Sequence, residues 1–320
     1  MVRRRRPMRL ATINLLALVL ALLVANPAAA ADEAPWPAEV APGVYLLRGA
    51  TGEPDAANRA RTGNAGFIVG PQGVLVVDTG TSAREGQALL AAVARVSDRP
   101  VRLAVITHAR QEFLFGARAF QERGIPVVVQ REVAATMASR CEGCLQALRR
   151  LVGDDEMRGT AVPLPDRVFD ASQSIDAIGR PVRLLVFGHS SGPGDTAVLD
   201  VQTGTLFAGG LVDVGRIPDL QDADPTGWRR ALAELHALRL TTVVPGHGPP
   251  EGRRAIYTVE RYLVQLERRV RELLAANAPL SAVPAAAPLP EFEGWVGYDT
   301  IHRRNASLLF LRGEREAFGR

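Results

Sequence analysis

A short apolar run followed directly by a histidine-bearing polar loop constrains this chain more than any other feature of its sequence. Residues Val101–Ile106 are mostly apolar and β-branched, which is typical of a buried strand. Residues 107–116 then read Thr-His-Ala-Arg-Gln-Glu-Phe-Leu-Phe-Gly. Because loops at strand ends often carry binding residues, this loop is a candidate metal site, with His108 and Glu112 as side chains able to bind an ion.

Strand and helix patterns alternate along most of the chain. Apolar runs predict strands, apolar residues at helical spacing predict helices, and Ser82 is expected to be the N-cap of the first helix. An Ala/Pro stretch, 282–290, is interpreted as a linker, and Gly313 as the end of the last helix. The predicted strands cover 44–47, 66–70, 74–78, 101–106, 125–129, 182–187, 196–201, 205–208 and 242–245, and the predicted helices 83–96, 115–123, 131–151, 228–240, 254–274 and 298–312. This order predicts a layered α/β protein.

The first 30 residues have the three-part pattern of a secretory signal peptide. An arginine-rich start precedes an apolar stretch, 10–24, and the run Ala28–Ala30 precedes the first acidic residues. That apolar stretch falls short of the roughly 20 residues that a membrane span needs, so cleavage is favoured over retention as an anchor. We therefore expect a periplasmic or secreted protein that does not associate with a membrane after cleavage.

The basic character of the full chain comes from this predicted signal. The chain has 38 basic and 34 acidic residues, and five of the basic residues and none of the acidic ones lie in 1–30, which leaves 33 against 34, a net charge of −1. The remaining residues show no basic patch interleaved with aromatic residues. We therefore expect no nucleic-acid partner.

The two cysteines, Cys141 and Cys144, form a close pair in Cys-Glu-Gly-Cys. In an exported protein such a pair favours a local disulfide. Two alternatives stay open: unremarkable thiols, and a redox or metal role. A redox role would require a thioredoxin-like setting, and zinc would require two more ligands nearby.

Several motifs at the ends of predicted strands resemble the metal-binding loops of metallo-β-lactamase (MBL) fold hydrolases. They are Val77-Asp78-Thr79-Gly80, the loop 107–116, Gly188–Thr196, Gly204–Val212 and Val243–Pro249. The resemblance implies an α/β protein with an αββα sandwich over residues 37–255 and a C-terminal helical extension over 256–320. It also implies zinc ions that activate a water for hydrolysis.

The resemblance also places the metal ligands, and it leaves few of them in this chain. His108 and His247 keep the family's histidines, whereas the other ligand positions hold different residues: Arg110, Glu112, Phe113, Ser191 and Gly210. Gly210 replaces the aspartate that bridges both ions. Glu112 is still a possible ligand, and His189 is another if its loop shifts by two residues. Asp213, three residues after Gly210, is left outside the site.

The arginine at a former histidine position carries a fixed positive charge that opposes a metal dication. We expect Arg110 to stand in for the lost metal by pairing with Glu112, or with Asp78, which supports the ligands from a second family motif. Zinc is then absent or present as a single weakly bound ion.

Within the family, the chain most resembles the quinoprotein relay system zinc metallohydrolases, which are related to SoxH proteins. The supporting segments are Ala41–Tyr45, Asn64–Gly70, Thr203–Gly209, Ile217-Pro218 with Gly227-Trp228, and His302–Ala306. This branch implies a periplasmic quinoprotein dehydrogenase or cytochrome c as partner.

Two functions are consistent with these observations. The first is an MBL-fold protein with a degenerate metal site that is catalytically impaired or non-catalytic. The second is a hydrolase with an altered single-metal site, in which a zinc-activated water attacks an ester, thioester or amide-like bond. A two-zinc hydrolase is hard to reconcile with Gly210.

Overall fold

The computed structural model describes residues 36–318, in which two β-sheets pack face to face with helices on both outer sides. The predicted signal peptide, residues 1–30, lies outside the described residues. Within residues 36–318, none of the helices combines the length and the apolar character needed to cross a membrane. The sandwich with helices confirms the predicted fold class.

The first sheet contains seven strands in chain order, antiparallel from the first to the fourth and parallel from the fourth to the seventh. They are β1 (Ala38–Ala41), β2 (Val44–Leu47), β3 (Ala65–Gly70), β4 (Gly73–Val77), β5 (Val101–Ile106), β6 (Val127–Gln130) and β7 (Arg167–Phe169).

The second sheet contains five strands in the order β12-β11-β10-β9-β8. They are β8 (Gln173–Ile175), β9 (Val182–Val186), β10 (Thr196–Asp200), β11 (Thr205–Phe207) and β12 (Thr242–Val244). Strands β11 and β12 are parallel and the other pairs are antiparallel.

Helices cover the outer face of each sheet. The helices are α1 (Ala83–Val96), α2 (Gln111–Leu114), α3 (Ala117–Gln121), α4 (Arg131–Val152), α5 (Pro225–Ala237), α6 (Arg254–Ala275), α7 (Val283–Ala286) and α8 (Arg303–Phe318). Helices α1, α3 and α4 pack on the first sheet, and α5, α6 and α8 pack on the second.

Strand β5 shows why the predicted apolar runs become buried strands. Its side chains alternate between two cores: Ala104 and Ile106 pack under the helices of the first sheet, and Leu103 and Val105 pack between the two sheets. Because both faces are covered, the strand is apolar at almost every position rather than at every second one. The predicted bounds of β5 are confirmed.

Helix α1 has the predicted bounds, and Ser82 is its N-cap, since its hydroxyl accepts a hydrogen bond from the Glu85 backbone N–H at 3.2 Å. Strands β1, β7 and β8 have no counterpart in the predicted set. Each of them has three or four residues and is partly exposed, so none carries a continuous apolar run.

The C-terminal helices differ from the prediction in two places. The stretch interpreted as a linker is packed, because Val283, Ala287 and Leu289 are buried in the same core as Trp228. Gly313 lies inside α8 rather than at its end, where a Cβ would contact the Leu274 side chain of α6. That glycine permits close helix approach and does not end the helix. The proposed division of the chain between residues 255 and 256 stays a prediction.

Candidate functional site

Five loops meet at one edge of the sandwich, where strands β4, β5, β9, β11 and β12 end. The loops are in direct contact. Thr196 N–H donates to the Thr107 carbonyl at 3.0 Å, and Gly246 N–H donates to the Val212 carbonyl at 2.8 Å. The residues brought to this edge are Asp78, Thr107, His108, Arg110, Glu112, Phe113, Ser191, Gly210, Asp213 and His247.

Buried hydrogen bonds link His108, through Thr107, to Asp78 at the end of β4. Asp78 Oδ1 accepts hydrogen bonds from the backbone N–H of Thr107 at 2.8 Å and from its hydroxyl at 2.9 Å. Thr107 Oγ1 lies 2.7 Å from His108 Nδ1. When Asp78 is ionised, the hydroxyl donates to it, so Nδ1–H donates to Thr107 and Nε2 carries a lone pair. Asp78 is thus linked to His108 through Thr107, and its role in supporting a metal ligand stays a prediction.

Burial governs the charge state of these two groups. It raises the pKa of Asp78 to about 7, against the opposing hydrogen bonds from Thr107. Burial also lowers the pKa of His108 well below its ordinary value, and the positive charge of Arg110 adds to that effect. His108 is consequently a neutral imidazole at physiological pH. Its Nε2 is buried and has no hydrogen-bond partner among residues 36–318.

His247 is in the opposite situation, because both of its ring nitrogens contact carboxylates. Nδ1 lies 2.8 Å from Asp213 Oδ1, and Nε2 lies 3.1 Å from Glu112 Oε1. Burial alone would lower the pKa of His247, but the charge of Asp213 and the hydrogen bonds to both carboxylates raise it. The three side chains form a buried network in which both carboxylate contacts favour the protonated ring of His247.

Glu112 is bound to this network. Burial alone would raise its pKa, but the hydrogen bond with His247 and the nearby positive charges hold it well below its ordinary value. Asp213 was left outside the predicted site. No motif marked it, and only its position three residues after Gly210 pointed toward the site.

Phe113 and Gly210 close the remaining space. The Phe113 ring centroid lies 4.3 Å from that of His108 and 5.3 Å from that of His247, so the ring packs against both imidazoles. A Cβ added at Gly210 would lie 2.5 Å from Ser191 Oγ and 2.8 Å from His108 Cδ2. The aspartate that the sequence resemblance leads us to expect at this position would therefore require its neighbours to move.

The second loop leaves His189 outside the site. His189 is exposed, and its Nε2 contacts the Asp222 backbone carbonyl at 2.7 Å. The buried residue at this edge is Ser191, next to Asp195, which accepts from Ser190 Oγ at 2.8 Å. In this structure His189 lies outside the site, and its possible ligand role stays a prediction.

The expected pairing of Arg110 with Glu112 or Asp78 is wrong. Its Nη2 donates to the Asp219 backbone carbonyl at 3.0 Å, and its Nη1 lies 3.9 Å from Asp219 Oδ2. Asp78 accepts a hydrogen bond from the Thr107 hydroxyl, and Glu112 Oε1 contacts His247 Nε2. Because those two carboxylates already have closer donors, Arg110 pairs with Asp219, about a hundred positions later in the chain. Arg110 lowers the pKa of Glu112 through its charge, without a hydrogen bond between them.

The two cysteines are free thiols one turn apart on α4, in contrast to the favoured disulfide. The hydrogen bond from the Cys141 thiol lowers the pKa of Cys144 to about 7 and raises that of Cys141. Cys144 lines a cavity of about 380 Å³ together with Arg110 and Glu112.

The family of the chain follows from comparison with known proteins. The model of the metallo-beta-lactamase superfamily matches residues 58–247, more than half of the chain. The chain therefore belongs to the metallo-beta-lactamase superfamily, whose members generally bind zinc.

Three relatives illustrate the range of proteins that the chain is similar to. A linear primary-alkylsulfatase of Pseudomonas sp. (strain ATCC 19151) is 22% identical over 229 residues, which cover 61% of this chain and 43% of that protein. A metallo-beta-lactamase from Pontibacter korlensis superposes with a TM-score of 0.58 at 20% identity, over 71% of this chain and 98% of that chain. A double mutant of the sec-alkyl sulfatase PisA1 superposes with a TM-score of 0.67 at 18% identity, over 87% of this chain and 50% of its own. The similarity to the two solved structures shows the fold, and this chain spans less than half the length of the curated relative.

The donor set of the site can be compared with the needs of zinc. Among residues 36–318, no group of three or more His, Cys, Asp or Glu side chains is arranged to hold a metal ion. Structural and catalytic zinc sites have three or four protein ligands. His108 offers a free lone pair, whereas both nitrogens of His247 face carboxylates.

Proposed function

We propose that this chain is an exported, periplasmic or secreted, non-catalytic member of the superfamily. An ionic network replaces the metal centre, and the adjoining cavity of about 380 Å³ binds a small ligand or a partner protein. The observation that carries the proposal is His247 held between Asp213 and Glu112 at 2.8 and 3.1 Å. An imidazole ligand must present a lone pair to the metal. A buried imidazolium with two carboxylate acceptors has none to offer.

The closed space around the network supports the same conclusion. Phe113 packs against both histidines, and a side chain at Gly210 would press on Ser191 and His108. Residues at the other former ligand positions contribute a guanidinium and a hydroxyl. Restoring zinc would therefore require several neighbouring changes, since a single new ligand would have no room.

Export and the partner rest on the sequence. The signal-peptide pattern of residues 1–30 supports a periplasmic or secreted protein. The resemblance to the SoxH-related quinoprotein branch supports a quinoprotein dehydrogenase or cytochrome c as partner. The alkylsulfatase relative is distant, so we do not propose that the chain hydrolyses alkyl sulfates.

A single-metal hydrolase is the second candidate, and His108 favours it. Its Nε2 is buried, neutral and without a partner among the described residues, which is the state of a histidine that binds a metal. For such a site, Glu112 would have to leave His247 and turn to the ion, and His247 would have to lose a proton. This cost makes it the weaker candidate.

Metal content tests the proposal. The chain is purified without a His-tag after zinc supplementation, and its metals are measured by mass spectrometry. We expect less than about a tenth of an equivalent of zinc or iron in folded protein. About one equivalent, lost in His108→Ala or His247→Ala but kept in the exposed control His189→Ala, would overturn the proposal and establish the single-metal site.

A further inference from the structure

A small cavity of about 140 Å³ lies beside the network of His247, Asp213 and Glu112, and two arginines line it. The loop after β2 forms one wall, and the segments 214–216 and 247–249 form the other. Arg48, Arg216 and His247 contribute the ionisable side chains, and no aspartate or glutamate lines the cavity among the described residues. Such a lining attracts anions and excludes cations.

The two arginines have donors to spare. Arg48 is exposed and makes no hydrogen bond or ion pair within the described part of the chain. Arg216 donates from Nη1 to the Gly52 carbonyl at 3.0 Å and has no carboxylate within 4.0 Å among residues 36–318. A guanidinium has five N–H donors in a planar fork, so most of them remain available.

Glycines form much of the remaining wall. Gly52, Gly215 and Gly248 line the cavity and have φ values of 111°, 70° and 91°, which favour glycine at these positions. An added Cβ at Gly52 or Gly215 would have no neighbour within 4 Å, so a ligand can approach the backbone closely there. One at Gly248 would lie 2.1 Å from the Val214 carbonyl oxygen, so that glycine permits a close contact within the protein.

We propose that this cavity binds the oxyanion group of a small molecule, a carboxylate or a sulfate, between Arg48 and Arg216. Guanidinium forks match both groups through paired, charge-assisted hydrogen bonds. The inference rests on the ligand-binding function proposed above and names the chemical class of the ligand.

The neighbouring cavity of about 380 Å³ is a poorer place for an anion. Arg216 lines it as well, together with Arg110 and Arg304, but the four carboxylates of Glu53, Glu112, Asp219 and Asp222 outnumber these three arginines. Their charges oppose an anionic group, so the oxyanion belongs in the smaller cavity, and the rest of a larger ligand has space beyond Arg216.

Titration calorimetry with sodium acetate and with sodium sulfate tests this assignment, on the purified chain at low ionic strength. We expect saturable binding of at least one of the two anions, weakened by added sodium chloride because the pair is partly exposed. Arg48→Gln and Arg216→Gln should each weaken binding about tenfold, the usual effect of losing a charge-assisted hydrogen bond. Arg216→Lys should recover part of the affinity by keeping the charge.

The matched control is Arg230→Gln, an exposed arginine on α5 that lines none of these cavities, and it should bind like the parent chain. Thermal melts verify that each variant is folded. The inference is wrong if the parent chain binds neither anion saturably, or if both glutamine variants bind as tightly as the parent.

Zinc content is measured on the same samples to separate the two proposals. Loss of anion binding in metal-free protein overturns only the oxyanion site. One equivalent of zinc in protein that still binds the anion overturns only the non-catalytic assignment.

Discussion

At the scale of single residues, the site is defined by which partner each ionisable side chain finds. His108 and His247 are the two histidines predicted to be retained ligands. His108 is neutral, and its Nε2 has no partner among the described residues, whereas His247 lies between two carboxylates. From the sequence, both histidines have the same predicted role as metal ligands. Asp213 and Glu112 make the difference, because they approach only one of the rings.

Gly210 allows a residue-scale prediction. Gly210→Asp restores the family's bridging carboxylate in sequence, but its Cβ would lie 2.5 Å from Ser191 Oγ. We expect no gain of zinc and a loss of about 1–3 kcal/mol in the free energy of unfolding, as for other overpacked interiors. Urea unfolding and metal analysis of the variant measure both.

The matched control for that variant is Gly143→Asp on α4, where an added Cβ has no neighbour within 4 Å. It should change stability by less than about 0.5 kcal/mol. A Gly210→Asp protein as stable as the parent, with bound zinc, would contradict our account of a closed site.

At the scale of elements, close contacts between helices and loops position the candidate site. Gly86 of α1 faces Gly116, the last residue of the loop 107–116. A Cβ on Gly86 would lie 2.3 Å from the Gly116 carbonyl oxygen, and a Cβ on Gly116 would lie 1.8 Å from the Thr79 carbonyl oxygen and 3.0 Å from Gly86 Cα. The contact presses the loop 107–116 against α1. It accounts for a glycine in the middle of a helix, where glycine is otherwise unfavourable.

We predict opposite effects for one substitution in two helices. Gly86→Ala should reduce the free energy of unfolding by about 1–3 kcal/mol despite the better helix propensity of alanine, because backbone of the loop must move. Gly143→Ala, in the open middle of α4, should raise it by up to about 1 kcal/mol. Urea unfolding of both variants provides the comparison, and equal changes would refute the packing argument.

At the scale of the whole molecule, a buried ion pair joins the two sheets. Arg180 Nε and Nη2 each lie 2.7 Å from a carboxylate oxygen of Asp200 in β10, and the same guanidinium donates to the Pro42 and Val69 carbonyls of the first sheet. Both side chains are at most 6% exposed. Removing one partner would leave a buried charge uncompensated.

Asp200 also predicts how stability depends on pH. Burial alone would raise its pKa, but hydrogen bonds from Arg180 and Thr203 lower it. Since the folded pKa is below the unfolded one, this stabilisation is complete above the unfolded value of about 3.9 and is lost as pH falls through the folded value.

Asp200→Asn should therefore reduce the free energy of unfolding at pH 7 by about 3–5 kcal/mol, the usual cost of breaking a buried pair. The deficit should shrink as the pH is lowered below about 4. Urea unfolding between pH 7 and 3 measures it. A deficit that is constant over that range would show that the charge of Asp200 does not act as described. Asp222→Asn, which removes an exposed partner of Arg140, should cost less than about 1 kcal/mol.

Much of the fold was predictable because hydrophobic burial leaves a local pattern. Strand β5 and helix α1 have the predicted bounds. Two covered faces require a continuous apolar run, and a Ser, Thr, Asp or Asn before an apolar stripe favours a helix N-cap at that residue. Strand β8 has no such pattern, because it lies at the sheet edge with its side chains largely exposed. The packing of the stretch 283–289 was not predicted, because an Ala/Pro-rich segment can be either an exposed linker or packed against a core.

Local sequence was sufficient to locate the site but not to describe its chemistry. The positions of His108, Gly210 and His247 follow from motifs at strand ends, because the ends of neighbouring strands must meet at one edge of the sandwich. The partners of Arg110, Glu112 and His247 come from residues about 100 or more positions away or from an unmarked loop. Only the folded chain decides those pairings, because Coulombic and hydrogen-bond energies depend on distance in space and on burial, neither of which has a local pattern.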